Sequence, residues 1–182
     1  MEEWKEYKLR EVTSILGDGL HGTPNYDGNG SVFFINGNNL DNGVITIKKD
    51  TKRVSTDEAS KYRKQLSDRT ILVSINGTIG NVAKYRGEDC ILGKSACYFN
   101  VNKDVCLDFI YYIVNRNVFK RYLSQLATGT TIKNVSLETM RNYSFLMPKY
   151  DTQEKISKIL KSLDDKIELN RRINDNLLRL AS

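Results

Sequence analysis

Histidine occurs once in this 182-residue sequence, at His21, and that scarcity narrows the chemistry at once. A Ser-His-Asp or Cys-His mechanism would have to run through His21, and no serine or cysteine stands in a recognisable nucleophile setting. Cysteine is nearly as sparse. Cys90, Cys97 and Cys106 are odd in number and lack CxxC spacing, so neither a disulfide framework nor a zinc site is expected, and all three read as free, buried thiols. Long apolar runs are missing too. Nothing approaches the roughly 18 consecutive apolar residues of a membrane span. The opening MEEWKEYKLR mixes charge with a tryptophan and lacks the apolar stretch of a signal peptide. The expected location is the cytoplasm.

Nucleotide and methyl-donor motifs are also absent. The stretch GEDCILGKS, residues 87 to 95, imitates a phosphate-binding P-loop, which needs four residues between its glycines where this one has five. ACYFNV follows it, and that reads as a strand rather than the helix whose amino end would hold phosphate. Glu88 and Asp89 beside Lys94 are the nearest approach to a metal-dependent nuclease cluster, without diagnostic spacing. No Asn-Pro-Pro-Tyr or Asp-Pro-Pro-Tyr stretch presents an amine for methylation, and no glycine-rich turn suits a methyl donor. No catalytic residue, metal or cofactor is expected.

What the chain does have is positive charge: 28 Lys and Arg against 22 Asp and Glu, net +6, which favours an anionic partner. Residues 1 to about 150 change character often. Strands are expected at Val32 to Ile35, Val44 to Ile47, Thr70 to Ile75, Thr78 to Tyr85 and Ala96 to Val101. Helices are expected at Thr56 to Gln65 and Leu107 to Leu126. The fold class is therefore α+β: a mixed globular domain over residues 1–150, followed by one long helix over 151–182.

That helix is the strongest element signal. After Pro148, Asp151 stands three residues before Glu154 as in a capping box, and no Gly or Pro occurs from Thr152 onward. At 1.5 Å per residue the rod is roughly 45 Å long, whereas a 150-residue globule is just under about 40 Å wide. Ile156, Leu160, Leu163, Ile167, Asn170, Asn174, Leu177 and Ala181 form an unbroken a/d register. A second register adds Ile159, Lys166, Ile173 and Leu180, and Leu178 borders both, so the apolar face is wider than a two-stranded seam. Glu154 with Lys158, Glu168 with Arg172, and Asp175 with Arg179 mark the solvent side as i,i+4 pairs. An amphipathic helix ordinarily lies on its own domain, but the length of this one points to a partner chain. The expected interface is Ile156, Leu160, Leu163, Ile167, Asn170, Ile173, Asn174, Leu177 and Leu178, with the two asparagines fixing register.

The loops carry amides, hydroxyls and bases: His21, Thr23 and Asn25; Asn36, Asn38 and Asn39; Asn76 and Thr78; Thr130, Thr131, Lys133 and Asn134. Asparagine can pair with adenine edges, while Lys, Thr and backbone amides hold phosphates. The same residues also make ordinary turns. Their recurrence in separate loops of a basic protein points to DNA.

In order, DGLHGTPNY, FFINGNNL, ILVSINGTIGNVAKY, ATGTTIKNVSLETMRNYSFLMP and QEKISKILKSLDDKIELNRRINDNLLRLA resemble the target-recognition domain and adjoining helix of type I restriction-modification specificity subunits. The resemblance covers nearly the whole chain. It implies a domain that reads one half of a split DNA target. It also implies a long helix that pairs antiparallel with a second such helix, on a scaffold where modification subunits and a motor-nuclease subunit dock. By the same resemblance, DNA contact is expected from His21, Thr23, Asn36 to Asn39, Thr78, Lys94, Ser95, Thr130, Thr131 and Lys133. A full specificity subunit has two recognition domains and two helical regions, and this chain has one of each. It is thus a natural half-subunit or a fragment, and in both cases a homodimer reading an inverted repeat is expected. A stand-alone dimeric DNA-binding regulator, or a nuclease built on Glu88 and Asp89, are the rival readings.

Overall fold

A computed structural model of the chain describes residues 3–181, with the side chains of Asp175 and of residues 178–181 outside that description. In chain order the elements are β1 (Lys5–Lys8), β2 (Thr13–Asp18), β3 (Val32–Ile35), β4 (Leu40–Asp41), β5 (Val44–Ile45), β6 (Arg53–Val54), α1 (Thr56–Ser60) and β7 (Thr70–Ser74). There follow β8 (Val82–Lys84), β9 (Cys90–Leu92), β10 (Ala96–Val101), α2 (Leu107–Asn115), α3 (Asn117–Leu126), α4 (Leu137–Arg141), β11 (Ser144–Met147) and α5 (Tyr150–Ala181). The α+β expectation holds.

The centre is an antiparallel sheet in the order β2-β10-β7-β8. Both of its faces are covered, and the period-2 alternation of its strands sorts side chains between two cores. Ile71, Val73, Cys97, Phe99 and Val101 face the helices α2 and α3, beside Phe109, Ile110, Phe119 and Leu123. Leu72, Ala96 and Tyr98 face the other way, against Ile35, Leu40 and Leu92. Of that second layer, Ile35 and Leu92 belong to a sheet ordered β6-β3-β9, in which β3 and β9 run parallel, and Leu40 to the β4–β5 hairpin. Between β4 and β5, Asn42 and Gly43 take φ of 46° and 81°, the conformation a two-residue hairpin demands of both central residues.

Several expected bounds shift. The strand expected over Thr78 to Tyr85 is confined to Val82–Lys84, because Gly77 and Gly80 take positive φ and keep Thr78 in a turn. The strand expected to Ile47 ends at Ile45. Helix α1 stops at Ser60 rather than Gln65, and the helix expected over Leu107 to Leu126 breaks at Arg116, whose ψ of 149° is extended. That break lets two buried faces, Phe109 to Val114 and Phe119 with Leu123, reach one core from different directions.

Helix α5 starts at Tyr150, before the expected cap. Lys149 supplies the carbonyl that accepts from Thr152 and Gln153 N–H, so Asp151 lies inside the first turn, where its charge faces the positive end of the helix dipole. Gln153 pins this end: its Oε1 accepts from the Cys106 N–H at 2.9 Å and its Nε2 donates to the Pro148 carbonyl at 2.9 Å. Ser157 is buried beside it, and Tyr112 OH reaches Asp164 Oδ2 at 2.8 Å. Past that bond every residue from 165 to 174 is exposed. Among the described residues, only the first turns of the rod lie on the body.

Candidate nucleic-acid interface

The amide-rich loops, far apart in sequence, are stitched into one surface by backbone bonds. Leu20 N–H donates to the Leu92 carbonyl at 2.7 Å, which lays the loop of His21 along the β9–β10 turn. In that turn Ser95 Oγ donates to Asn36 Oδ1 and accepts from Gly37 N–H, both at 2.9 Å. The Ser95 carbonyl in turn accepts from Ile75 N–H at 3.0 Å, which brings in the Asn76 loop. Gly77 N–H reaches the Lys133 carbonyl and Val135 N–H the Ile75 carbonyl, which closes the row with the Thr130 loop. Gly93 is required at the centre, since a Cβ there would collide with Asn36 Oδ1. The P-loop imitation of the sequence is thus a strand and a turn, leading into β10, that clamp neighbouring loops.

The candidate residues divide by burial. His21, Thr23, Asn25, Asn38, Thr78, Lys94, Thr130, Thr131 and Lys133 are exposed, and Ile132 stands 62% exposed at the tip of its loop. Asn39 differs: it is 3% exposed, its Oδ1 accepts from Asn36 N–H, and its Nδ2 donates to Thr46 O and Thr51 Oγ1. Such an amide builds the loop and has no donor left to read a base edge. Ser95 and the Oδ1 of Asn36 are committed in the same way. Asn76 and Asn134 are half-buried and face each other across a backbone bridge, while Asn134 also pairs with Thr128 through two backbone bonds at 2.9 and 2.8 Å. These two hold the hairpin whose tip carries Thr130, Thr131 and Lys133.

Charge is arranged with equal economy. His21 Nε2 lies 2.6 Å from Asp18 Oδ2. Asn25 is anchored by its N–H to Glu58 Oε1 at 2.8 Å. The Glu58 carboxyl is held below its ordinary value of 4.5, first by the hydrogen bond from Lys61 and then by that Asn25 N–H. Four cations not singled out from the sequence stand beside the same loops. Lys48 Nζ donates to the Asn38 carbonyl at 2.6 Å, and Lys49, Lys52 and Arg53 follow it along the segment that ends at β6. Their signal was a charge run, KKDTKR, between two strands.

The residues of the rival nuclease reading are otherwise engaged. Asp89 pairs with Arg63 at 2.8 Å, and Glu88 accepts from Arg86 N–H at 2.7 Å. Among the described residues no group of three His, Cys, Asp or Glu is placed to hold a metal ion. Burial pushes the Cys90 thiol up to about 12 and Cys97 higher still, so neither is a thiolate near neutral pH. Both are buried and Cys106 is partly so. No described helix is long and apolar enough to cross a membrane.

On α5, Ile156 and Leu160 are half-buried, together lining an apolar hollow of about 670 Å³ with Trp4, Phe109, Val118 and Leu146. Further along, Ile159, Leu163, Ile167, Leu169, Ile173 and Leu177 are between 46% and 64% exposed, and Asn170 and Asn174 are exposed among them. The side chain of Leu178 lies outside the described residues, as do those of Asp175, Arg179, Leu180 and Ala181. Glu168 pairs with Arg172 at 2.8 Å and Glu154 with Lys158 at 4.0 Å, as the spacing implied.

A family model described as type I restriction modification DNA specificity domain matches residues 1–179. The chain is 25% identical over 190 aligned residues to the type I restriction enzyme HindI specificity subunit of Haemophilus influenzae, covering all of this chain and 39% of that protein. It is 23% identical to the MjaIX specificity subunit of Methanocaldococcus jannaschii, covering 99% of this chain and 42% of that one. The chain thus spans about two-fifths of the length of these relatives. A solved specificity subunit of M. genitalium superposes with a TM-score of 0.64 at 20% identity, over 96% of this chain and 44% of that one, a likeness of fold.

Proposed function

Since the chain belongs to the type I restriction-modification DNA specificity family, we propose that its joined loops read one half of a bipartite DNA target. The carrying observation is the stitched surface itself: loops from residues 20 to 135 meet edge to edge and present His21, Thr23, Asn38, Thr78, Lys94, Thr130, Thr131 and Lys133 together. Exposed hydroxyls, an amide and lysines are the groups that hold phosphates and read base edges. The chain supplies the address, and the chemistry belongs to modification and restriction subunits that assemble on it. A stand-alone regulator would use the same surface without those partners, and family membership favours the complex.

The second part of the reading concerns α5. Its uncovered apolar side chains fit a second α5 laid antiparallel in a homodimer, with modification subunits completing the bundle. Each side chain removed from water contributes up to ~1.5–3 kcal/mol, so a stripe of this length supports a stable pair. Asn170 and Asn174 then meet polar partners across the pair and select one register.

Competition binding tests the DNA reading. With its modification subunits, the chain is expected to bind one duplex sequence at least about 10³-fold more tightly than scrambled duplexes, the range of specific DNA-binding proteins. Equal affinity for all duplexes would contradict it.

A further inference from the structure

The cations from Lys48 to Arg53, on the segment that follows β5 and enters β6, stand beside the loops of the proposed reading surface. Lys48, Lys49, Lys52 and Arg53 are all exposed, and none of them forms an ion pair among the described residues. The segment is not a free tail. Thr51 Oγ1 accepts from Asn39 Nδ2 at 3.0 Å and from Lys48 N–H at 2.8 Å, which fastens it to the Asn36–Asn39 turn. Arg53 O accepts from Asp27 N–H and Lys52 O from Phe34 N–H, both at 2.9 Å, which fastens its other end to the loop that carries His21 and Thr23 and to β3. The two fastenings leave a hollow of about 550 Å³ under the segment, lined by Tyr26, Asp27, Gly28 and residues 49 to 53.

Two of the cations have local duties: Lys48 holds the Asn38 carbonyl and the Arg53 guanidinium lies 4.8 Å above the Phe33 ring. Lys49 and Lys52 do not, apart from a distant approach of Lys52 to the Tyr26 ring at 6.0 Å. Lys49, Lys52 and Arg53 line the hollow against two carboxylates, Asp27 and Asp50, so the balance stays positive. Exposed lysines beside such a surface are suited to phosphates and poorly suited to base edges, because an ammonium is a point charge without a directional fork.

We infer that Lys49 and Lys52 bind the phosphate backbone of the duplex flanking the recognised half-site, extending the footprint without adding sequence information. This rests on the DNA-reading assignment above. The fastened segment makes it a fixed part of the footprint, and the contact acts equally on every sequence.

The test is a salt titration of duplex affinity for the full chain and for the Lys49→Ala, Lys52→Ala double variant, on long duplexes and on duplexes trimmed to the half-site. Losing two phosphate contacts lowers the slope of log affinity against log salt by about 1.8. Between 50 and 200 mM salt the wild type should therefore lose about tenfold more affinity than the variant. The double variant should bind long duplexes more weakly at low salt, keep the wild-type ratio of target to scrambled affinity, and be indifferent to trimming. A Lys49→Arg, Lys52→Arg variant should retain the wild-type slope, and matching thermal midpoints exclude misfolding as the cause. An unchanged slope on long duplexes, or a changed preference between target and scrambled sequence, overturns the inference. Failure of the wild type to bind any duplex would instead overturn the assignment it rests on.

Discussion

Neighbouring asparagines in one turn do different work. Asn38 is exposed, Asn36 is tied to Ser95, and Asn39 is buried with its amide spent on Asn36, Thr46 and Thr51. In the proposed reading, base contact falls to the exposed members of the surface. Lys133 is the most direct residue to probe, since it stands at the tip of the hairpin held by Asn76 and Asn134. Changing Lys133→Ala should weaken binding by a similar factor on all sequences and flatten the salt slope by about 0.9, read by anisotropy over a salt series. An unchanged slope would mean that Lys133 does not meet phosphate. Glu58 offers a test without DNA. Its folded-state value is depressed, so its contribution to stability is present above the ordinary value of 4.5 and is lost as the pH falls below it through the folded value. Thermal midpoints should therefore fall more steeply below pH 4.5 in the wild type than in Glu58→Gln, and parallel profiles would contradict this. The amide-rich loops were legible as loops. Which amide turns inward was not, because that depends on partners such as Ser95, 59 positions from Asn36.

At the scale of elements, α5 was the most legible feature, since heptad spacing and the absence of Gly and Pro need no tertiary context. Its cap lies at Lys149, two residues before the expected Asp151, because a backbone carbonyl closes the first turn, which side-chain patterns do not report. The strands Val32–Ile35 and Ala96–Val101 also followed from their composition. Short elements did not: β9 is a three-residue buried run between a turn and a glycine, and its parallel pairing with β3 is set by the fold rather than by local propensity. The break between α2 and α3 is likewise imposed by the core, with no Gly or Pro to announce it. For α5 the prediction is direct. The wild-type chain should be a dimer by light scattering at micromolar concentration, and a Leu163→Glu, Ile167→Glu double variant a monomer with the globular domain still folded. A monomeric wild type would contradict the pairing.

For the molecule as a whole, shape and size carry the argument. The stitched loops lie on the globular body, and a 32-residue helix, roughly 48 Å at 1.5 Å per residue, extends beyond the turns that dock on α2. Joined antiparallel through α5 as proposed, two such chains would set their reading surfaces a fixed distance apart, related by a twofold axis. In the proposed dimer, identical domains would read identical half-sites in inverted orientation, and the length of the paired helices would fix the unread gap. Nothing in the sequence specifies the bases themselves, because the exposed groups that would read them are general-purpose donors and acceptors. Sequencing DNA methylation in cells that express this chain with its modification subunits tests the account most directly. The account predicts one gapped motif whose two halves are inverted copies of each other, absent when the chain is deleted; two unlike half-sites, or an unchanged methylation pattern on deletion, would contradict it.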